Sequence, residues 1–318
     1  MGTPHTPPTL EIQANADESS SVQVWRRFFI FDVHFVSNLA RLWHNRYLIF
    51  ALTQRGVRAR YKQSLIGIGW ALITPLAMTA VFTYMYSALG LEGRKTFPCP
   101  PVLYLLFTLS FWNFLTRAIT NGSTALVSNM DLVTKVYFPR EVLPISSVLT
   151  NVVDLVFSFL LWAGVAAGYS YLRPGVAFSY PHAYPFLPHA GWLWLPVIFF
   201  FHLLLILGIV FITATLQVYF RDVGHLINLG LTLWLIITPV LYAIGAFSGG
   251  RYTTLININP MTGIIDGYRL AIISRASPWY TAPNWEHHVV GSVLFSVWIF
   301  LVGYSFFKHE EQYFADVV

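Results

Sequence analysis

Six apolar runs set what this chain can become: residues 65–89, 101–119, 143–168, 192–218, 226–247 and 288–307. Each holds about twenty residues or a little more, the length at which an α-helix crosses roughly 30 Å of hydrocarbon. In lipid every backbone N–H and C=O must be paired inside the segment, so the runs are expected to be helices. The fold class expected is an all-α integral membrane protein with six transmembrane helices. Composition points the same way: of 318 residues, 56% are hydrophobic and mean hydropathy is +0.58. Only 10% are charged, against about 25% in soluble domains.

An even number of crossings puts both termini on one side. Assigning that side to the cytoplasm places Arg26, Arg27, Arg41, Arg46, Arg55, Arg58, Arg60, Lys62, Lys135, Arg140, Arg221 and Lys308 inside. Arg94, Lys95, Arg173, Arg251, Arg269 and Arg275 fall outside, and Arg117 lies near an inner end. This is the bias of the positive-inside rule. The net charge of +5 and the pI near 9.3 therefore follow from topology and do not imply nucleic acid. The single cysteine, Cys99, excludes an intrachain disulfide. The first residues lack a basic n-region and an apolar h-region, so no cleavable signal peptide is expected and insertion should begin at the first run.

Three parts are expected: an N-terminal segment 1–37, an interface helix 38–64 and a six-span domain 65–318. Residues 1–21 are rich in Pro, Thr, Ser and acids, a composition that favours disorder. Residues 22–36 are apolar but short and charged, open between an edge strand and an interfacial segment. In 38–63, Leu39, Leu42, Trp43, Tyr47, Phe50, Val57 and Tyr61 recur at helical spacing, with Arg41, Arg55, Arg58, Arg60 and Lys62 as a basic complement. Such a helix lies in the membrane plane, aromatic side in the acyl boundary and cations toward anionic lipid. Gly56 is expected to break or bend it.

Two connections carry information. In 121–144 the side chains of Asn129, Asp131, Lys135, Arg140 and Glu141 interrupt an apolar chain. A charge at the bilayer centre costs several kcal/mol, which places this stretch in water or at the headgroups. Leu126, Met130, Val133 and Val136 give it helical spacing until Pro139. A short exposed helix between two spans is placed to dock a soluble partner; the alternative is a plain connecting loop. In 248–285, Asn259 can cap a helix and Pro260 fits its first turn, opening a helix over 261–273 with Asp266 and Arg269 at i,i+3. Too short to span, it should be re-entrant or interfacial, as a gate or as a cap that only packs.

Catalytic chemistry is not visible. There is no G-x-x-x-x-G-K-[ST] or H-E-x-x-H, and Glu286-His287-His288 lacks metal-ligand spacing. Ser248-Gly249-Gly250 echoes an ATPase signature but falls outside the membrane on this topology and reads as a turn. Neither a catalytic residue nor a metal site is expected. Asp154, the one acid deep in a span, is a functional-site candidate by default. Its structural alternative is a hydrogen bond with Asn151 or with a polar group of a neighbouring helix. Aromatics make up 17% of the chain. Trp70, Phe82 and Tyr84 lie in the first run, Phe111 and Trp112 in the second, Trp234 and Tyr242 in the fifth. π-Faces with O–H and N–H ends suit a sugar chain that must slide without tight binding; helix packing is the alternative reading.

Several motifs recur together. Arg60-Tyr61-Lys62-Gln63-Ser64-Leu65-Ile66-Gly67 with Trp70 and Pro75-Leu76, then Lys135 through Pro144, Tyr219-Phe220-Arg221-Asp222-Val223, Asn259-Pro260-Met261 with Arg269, and Phe314-Ala315-Asp316-Val317 stand in order. This set resembles the type-2 ABC exporter permeases, in their polysaccharide-exporting branch. The resemblance implies a homodimer in the bacterial inner membrane, with one pore between protomers and short gate helices before the last span. It implies a separate cytoplasmic ATPase that carries ATP and Mg, so this chain would itself be no enzyme. The coupling helix would fall on about 128–137, making Asn129, Asp131, Lys135, Tyr137, Arg140 and Glu141 the coupling residues. Arg41, Trp43, Arg55, Arg58, Arg60, Tyr61 and Lys62 would meet the head of a lipid-linked polysaccharide. The aromatics named above would line its path, and Asn259, Pro260, Met261, Asp266 and Arg269 would form the external gate. Residues 1–36 have no counterpart. Rival expectations are a teichoic-acid, capsule, lipid or drug exporter, a membrane-embedded glycosyl- or acyltransferase, and a proton-coupled carrier relying on Asp154.

Overall fold

The computed structural model describes residues 35–62, 69–90, 100–135, 138–172, 190–242, 256, 258–272 and 285–314. The expectations for residues 1–34, for the external connections 91–99 and 173–189, for the Ser248-Gly249-Gly250 turn and for Tyr137 concern residues outside that set. Among the described residues the chain is helical, without strands. The helices are α1 (Phe35–His44), α2 (Arg46–Lys62), α3 (Gly69–Ala88), α4 (Pro101–Ser123), α5 (Met130–Lys135), α6 (Val142–Leu172), α7 (Leu195–Tyr219), α8 (Val223–Ile237), α9 (Pro260–Ile272) and α10 (Trp285–Glu310).

Among the described residues, four helical stretches are long and apolar enough to cross a membrane: Pro101–Ser123, Val142–Tyr169, Ala190–Tyr219 and His287–Tyr313. The chain is therefore a multi-pass membrane protein. Two further apolar helices are shorter, Leu72–Ala88 and Val223–Ile237.

The four long helices are not equivalent. α4 is the axis of the bundle, packed against α3, α6, α7 and α8. Pro101 opens it at a position where a missing N–H costs nothing. Leu105, Leu106, Leu115 and Ala118 along it are fully buried. α7 and α10 lie with their backbones in direct contact, since a methyl group on Gly208 would collide with the Ile299 backbone and one on Gly303 with the Gly208 carbonyl. By contrast α3 and α8 turn large apolar side chains outward, among them Trp70, Val81 and Tyr84 on α3 and Leu226, Leu229 and Ile236 on α8.

Three local expectations need correction. The interface helix breaks at Asn45, between α1 and α2, and α2 runs through Gly56 without interruption. Gly56 serves close packing instead: a Cβ there would come within 2.8 Å of Thr150 Oγ1 on α6. The apolar run 226–247 does not make one helix over its length. α8 stops at Ile237, because Thr238 precedes Pro239 and takes the extended conformation (φ −83°, ψ 134°) that a following proline imposes. Finally, the helix expected from 124 to 136 is shorter. The chain leaves α4 through a turn and a 3-10 segment, Val127–Asn129, before the six-residue α5.

Candidate functional site: three polar nodes along the bundle

The first node surrounds α5. Asp131 and Lys135 pair at 2.7 Å, one turn apart, with side chains 88% and 72% exposed. Asn129 donates from Nδ2 to the Ala125 carbonyl at 2.9 Å. Val133, on the opposite face, is buried in a cluster with Leu126, Val142, Phe211, Phe307 and Phe314. Arg140 and Glu141 turn the other way, toward the end of α10. Glu141 is 1% exposed. Lys308 Nζ lies 2.7 Å from Glu141 Oε1 and 2.6 Å from Glu311 Oε2. The Arg140 backbone N–H donates to Glu311 Oε1 at 3.1 Å, and its guanidinium donates to the Glu311 backbone carbonyl. Tyr219 at the end of α7 donates from its hydroxyl to Glu310 Oε2 at 2.7 Å. Two carboxylates thus share one ammonium. Burial, with Glu311 adding repulsion, raises the Glu141 carboxyl above its ordinary range despite Lys308.

The second node is Asp154 on α6. It does not pair with Asn151, whose Oδ1 accepts from Asn121 Nδ2 at 2.9 Å. Asp154 Oδ2 instead lies 2.6 Å from Arg60 and 3.6 Å from Arg117, and Oδ1 accepts from the Tyr61 hydroxyl. Arg117 also donates to Thr74 Oγ1 at 3.0 Å. One carboxylate therefore ties α2 to α3, α4 and α6. Partial burial and that hydrogen bond push the Tyr61 phenol up to about 12. Of the predicted basic collar, Arg60 and Tyr61 face inward to Asp154. Arg41, Trp43, Arg55, Arg58 and Lys62 remain exposed. Arg46 lies over the rings of Trp43 and Tyr47, 5.6 and 4.6 Å from their centroids. A groove of about 340 Å³ opens beside this node, lined by Arg55, Ser128, Asn129, Ser147 and Thr150 among others.

The third node joins α8 to α9. Asn259 caps α9 as expected, with Oδ1 accepting from the Met261 N–H at 3.0 Å; it also accepts from Trp234 Nε1 at 2.8 Å. Asn259 Nδ2 donates to Thr238 Oγ1 at 2.7 Å. Arg269 pairs with Asp266 at 3.0 Å, stands 4.5 Å from the centroid of Tyr104 and donates to the Pro239 carbonyl. The next three carbonyls of the unwound segment accept from other helices. Val240 takes Thr108 Oγ1 at 2.8 Å, Leu241 takes Tyr86 Oη at 2.7 Å, and Tyr242 takes Tyr104 Oη at 2.8 Å. Non-helical backbone is tolerated at membrane depth when its polar groups are satisfied in this way. Nearly all of α9 is buried; only Pro260 and Leu270 are partly exposed.

The predicted aromatic path divides by placement. Phe111 and Trp112 are buried in the core, Phe111 stacked on Tyr268 at 3.8 Å and Trp112 edge-on to Trp234 at 5.8 Å. Phe82, Trp234 and Tyr242 are half-buried. Trp70 and Tyr84 stand on the surface of α3, 53% and 77% exposed. Sequence reasoning missed Arg117, Lys308 and Glu311 as partners. The available signals were an arginine at one end of an apolar run facing an acid within another, and the Lys308–Glu311 i,i+3 spacing.

Residues 47–273 match the family of ABC-2 type transporters, and the chain belongs to that family. It is thus a membrane subunit of a transport system, as the motifs implied. It is similar to an O-antigen export system permease protein RfbA of Myxococcus xanthus, 28% identical over 238 residues, covering 74% of this chain and 84% of that protein. A permease of the same name from Klebsiella pneumoniae is 24% identical over 276 residues, 85% of this chain and 95% of its own length.

Proposed function

We propose that this chain is the permease subunit of an exporter of O-antigen-like polysaccharide, carried on a lipid across the bacterial inner membrane. The observation that carries the reading is the similarity to O-antigen export permeases along nearly their whole length. On this reading α3 and α8 join the four long helices to give six crossings, with both termini cytoplasmic. Two copies meet along the apolar faces that α3 and α8 leave open, and the pore lies between them. α5 docks a separate ATPase that binds ATP and Mg, and Asp131 and Lys135 are the side chains turned toward it.

The lipid-pyrophosphate head is drawn to Arg41, Arg55, Arg58 and Lys62 on the interface helices, which lie on the cytoplasmic face. The glycan then passes Trp70 and Tyr84. Phe111, Trp112 and Trp234 support the wall from behind, and α9 borders the external exit. The test is export in sealed vesicles that contain the chain, its ATPase and a lipid-linked glycan. ATP-dependent export that fails when Asp131 and Lys135 are both reversed in charge is expected. Transport by the chain without any ATPase would overturn the reading.

A further inference from the structure

α10 meets the segment that follows α5 at one end and α9 at the other. At its inner end Lys308 is held by Glu141, directly after the α5 loop, and by Glu311, which also receives Arg140. At its outer end α9 rests directly on it, because a methyl group on Gly263 would collide with the His288 carbonyl and Ser292 Oγ. His288 and Lys308 are twenty residues apart, about 30 Å along a helix. Between them the Gly208–Gly303 contact presses α7 and α10 backbone to backbone, and Tyr219 ties the end of α7 to Glu310. A pair this close cannot slide without breaking packing, so it moves as one body.

We propose that α10, stiffened by α7, is the rod that carries displacement of the α5 loop to α9. Lys308 and Glu141 are its inner joint, and Gly263 on His288 is its outer bearing. Neither Lys308 nor Glu141 touches cargo; they are positioning residues. The inference rests on the docking role of α5 proposed above and adds where the movement goes next.

The experiment uses the full permease–ATPase complex in lipid. Cys99→Ser removes the native thiol, and Ile258→Cys, an exposed position one residue before the α9 cap, carries an environment-sensitive fluorophore. A non-hydrolysable ATP analogue should change its emission. Lys308→Met should abolish that change and cut export about tenfold, while ATP hydrolysis by the assembled complex stays within about twofold. The exchange Glu141→Lys with Lys308→Glu keeps one cation between two carboxylates and should restore both the response and export. If the Lys308→Met chain fails to accumulate, the exchanged pair alone decides: assembled and responsive supports the rod, assembled and silent overturns it. An intact response in Lys308→Met also overturns it. Export that survives charge reversal of Asp131 and Lys135 would instead sink the docking role of α5, a separate result.

Discussion

At the α9 node the buried Arg269 meets the Asp266 carboxylate, the Pro239 carbonyl and the Tyr104 ring. At the α5 node Lys308 is divided between two carboxylates, and the neighbouring Arg140 is half-buried. The first arrangement pairs a buried cation with a buried carboxylate and satisfies the unwound backbone around it. The second offers Lys308 two carboxylates at once, in a place where Glu141 has almost no water. A balanced dry node resists rearrangement, because every alternative leaves a buried group unpaired. An over-supplied node can exchange partners at lower cost. The contrast suits the roles proposed above, in which α9 keeps its shape while the α5 loop receives movement.

The contrast can be broken most strongly from the α9 side. Asp266→Ala leaves the buried Arg269 without its carboxylate and should lower stability by about 3–5 kcal/mol. Thermal unfolding in detergent measures it, and adding Arg269→Met should recover most of the loss. Thr108→Val deprives the Val240 carbonyl of its donor and should cost about 1–3 kcal/mol in the same assay. A loss below that range would mean the clasped backbone finds another donor.

On the α5 side the effects should be smaller and pH-dependent. Because burial, with Glu311 beside it, raises the Glu141 carboxyl above the ordinary carboxylate range, the folded state favours its protonated form. Its contribution is therefore fully present below the ordinary carboxylate range and is lost as pH rises through the raised value. Glu141→Gln should flatten that decline in unfolding midpoint, shift stability at neutral pH by less than about 1 kcal/mol, and still impair export. A large loss of stability at neutral pH would show that the two nodes follow the same plan. Smallest of all, Asp131→Asn removes an exposed i,i+4 pair and should change stability by about 0.3–0.5 kcal/mol.

Features set by local chemistry were readable in the sequence. Asn259 followed by Pro260 marked the start of α9, the i,i+3 spacing marked the Asp266–Arg269 pair, and hydropathy found the four long spans. Pro239 was a local signal too, yet the surrounding apolar residues masked the helix end it imposes. Contacts between distant segments were not readable. Glu141 and Lys308 stand 167 positions apart, and no periodicity joins them. The same holds for Asp154 with Arg60, 94 positions apart. Burial of Phe111 and Trp112 also depends on which helix lies opposite. A mid-span aromatic looks the same in sequence whether it faces a lumen or Tyr268.

The early end of α8 has a consequence for how the chain completes its crossing. Fifteen residues extend about 22 Å, well short of a hydrocarbon layer of roughly 30 Å. The unwound residues 239–242 carry the chain on from the helix end, with their carbonyls held by Arg269, Thr108, Tyr86 and Tyr104 in place of a helical ladder. On the proposed dimer this flank faces the second copy, so the crossing would be finished there by backbone whose hydrogen bonds come from neighbouring helices and not from its own turns.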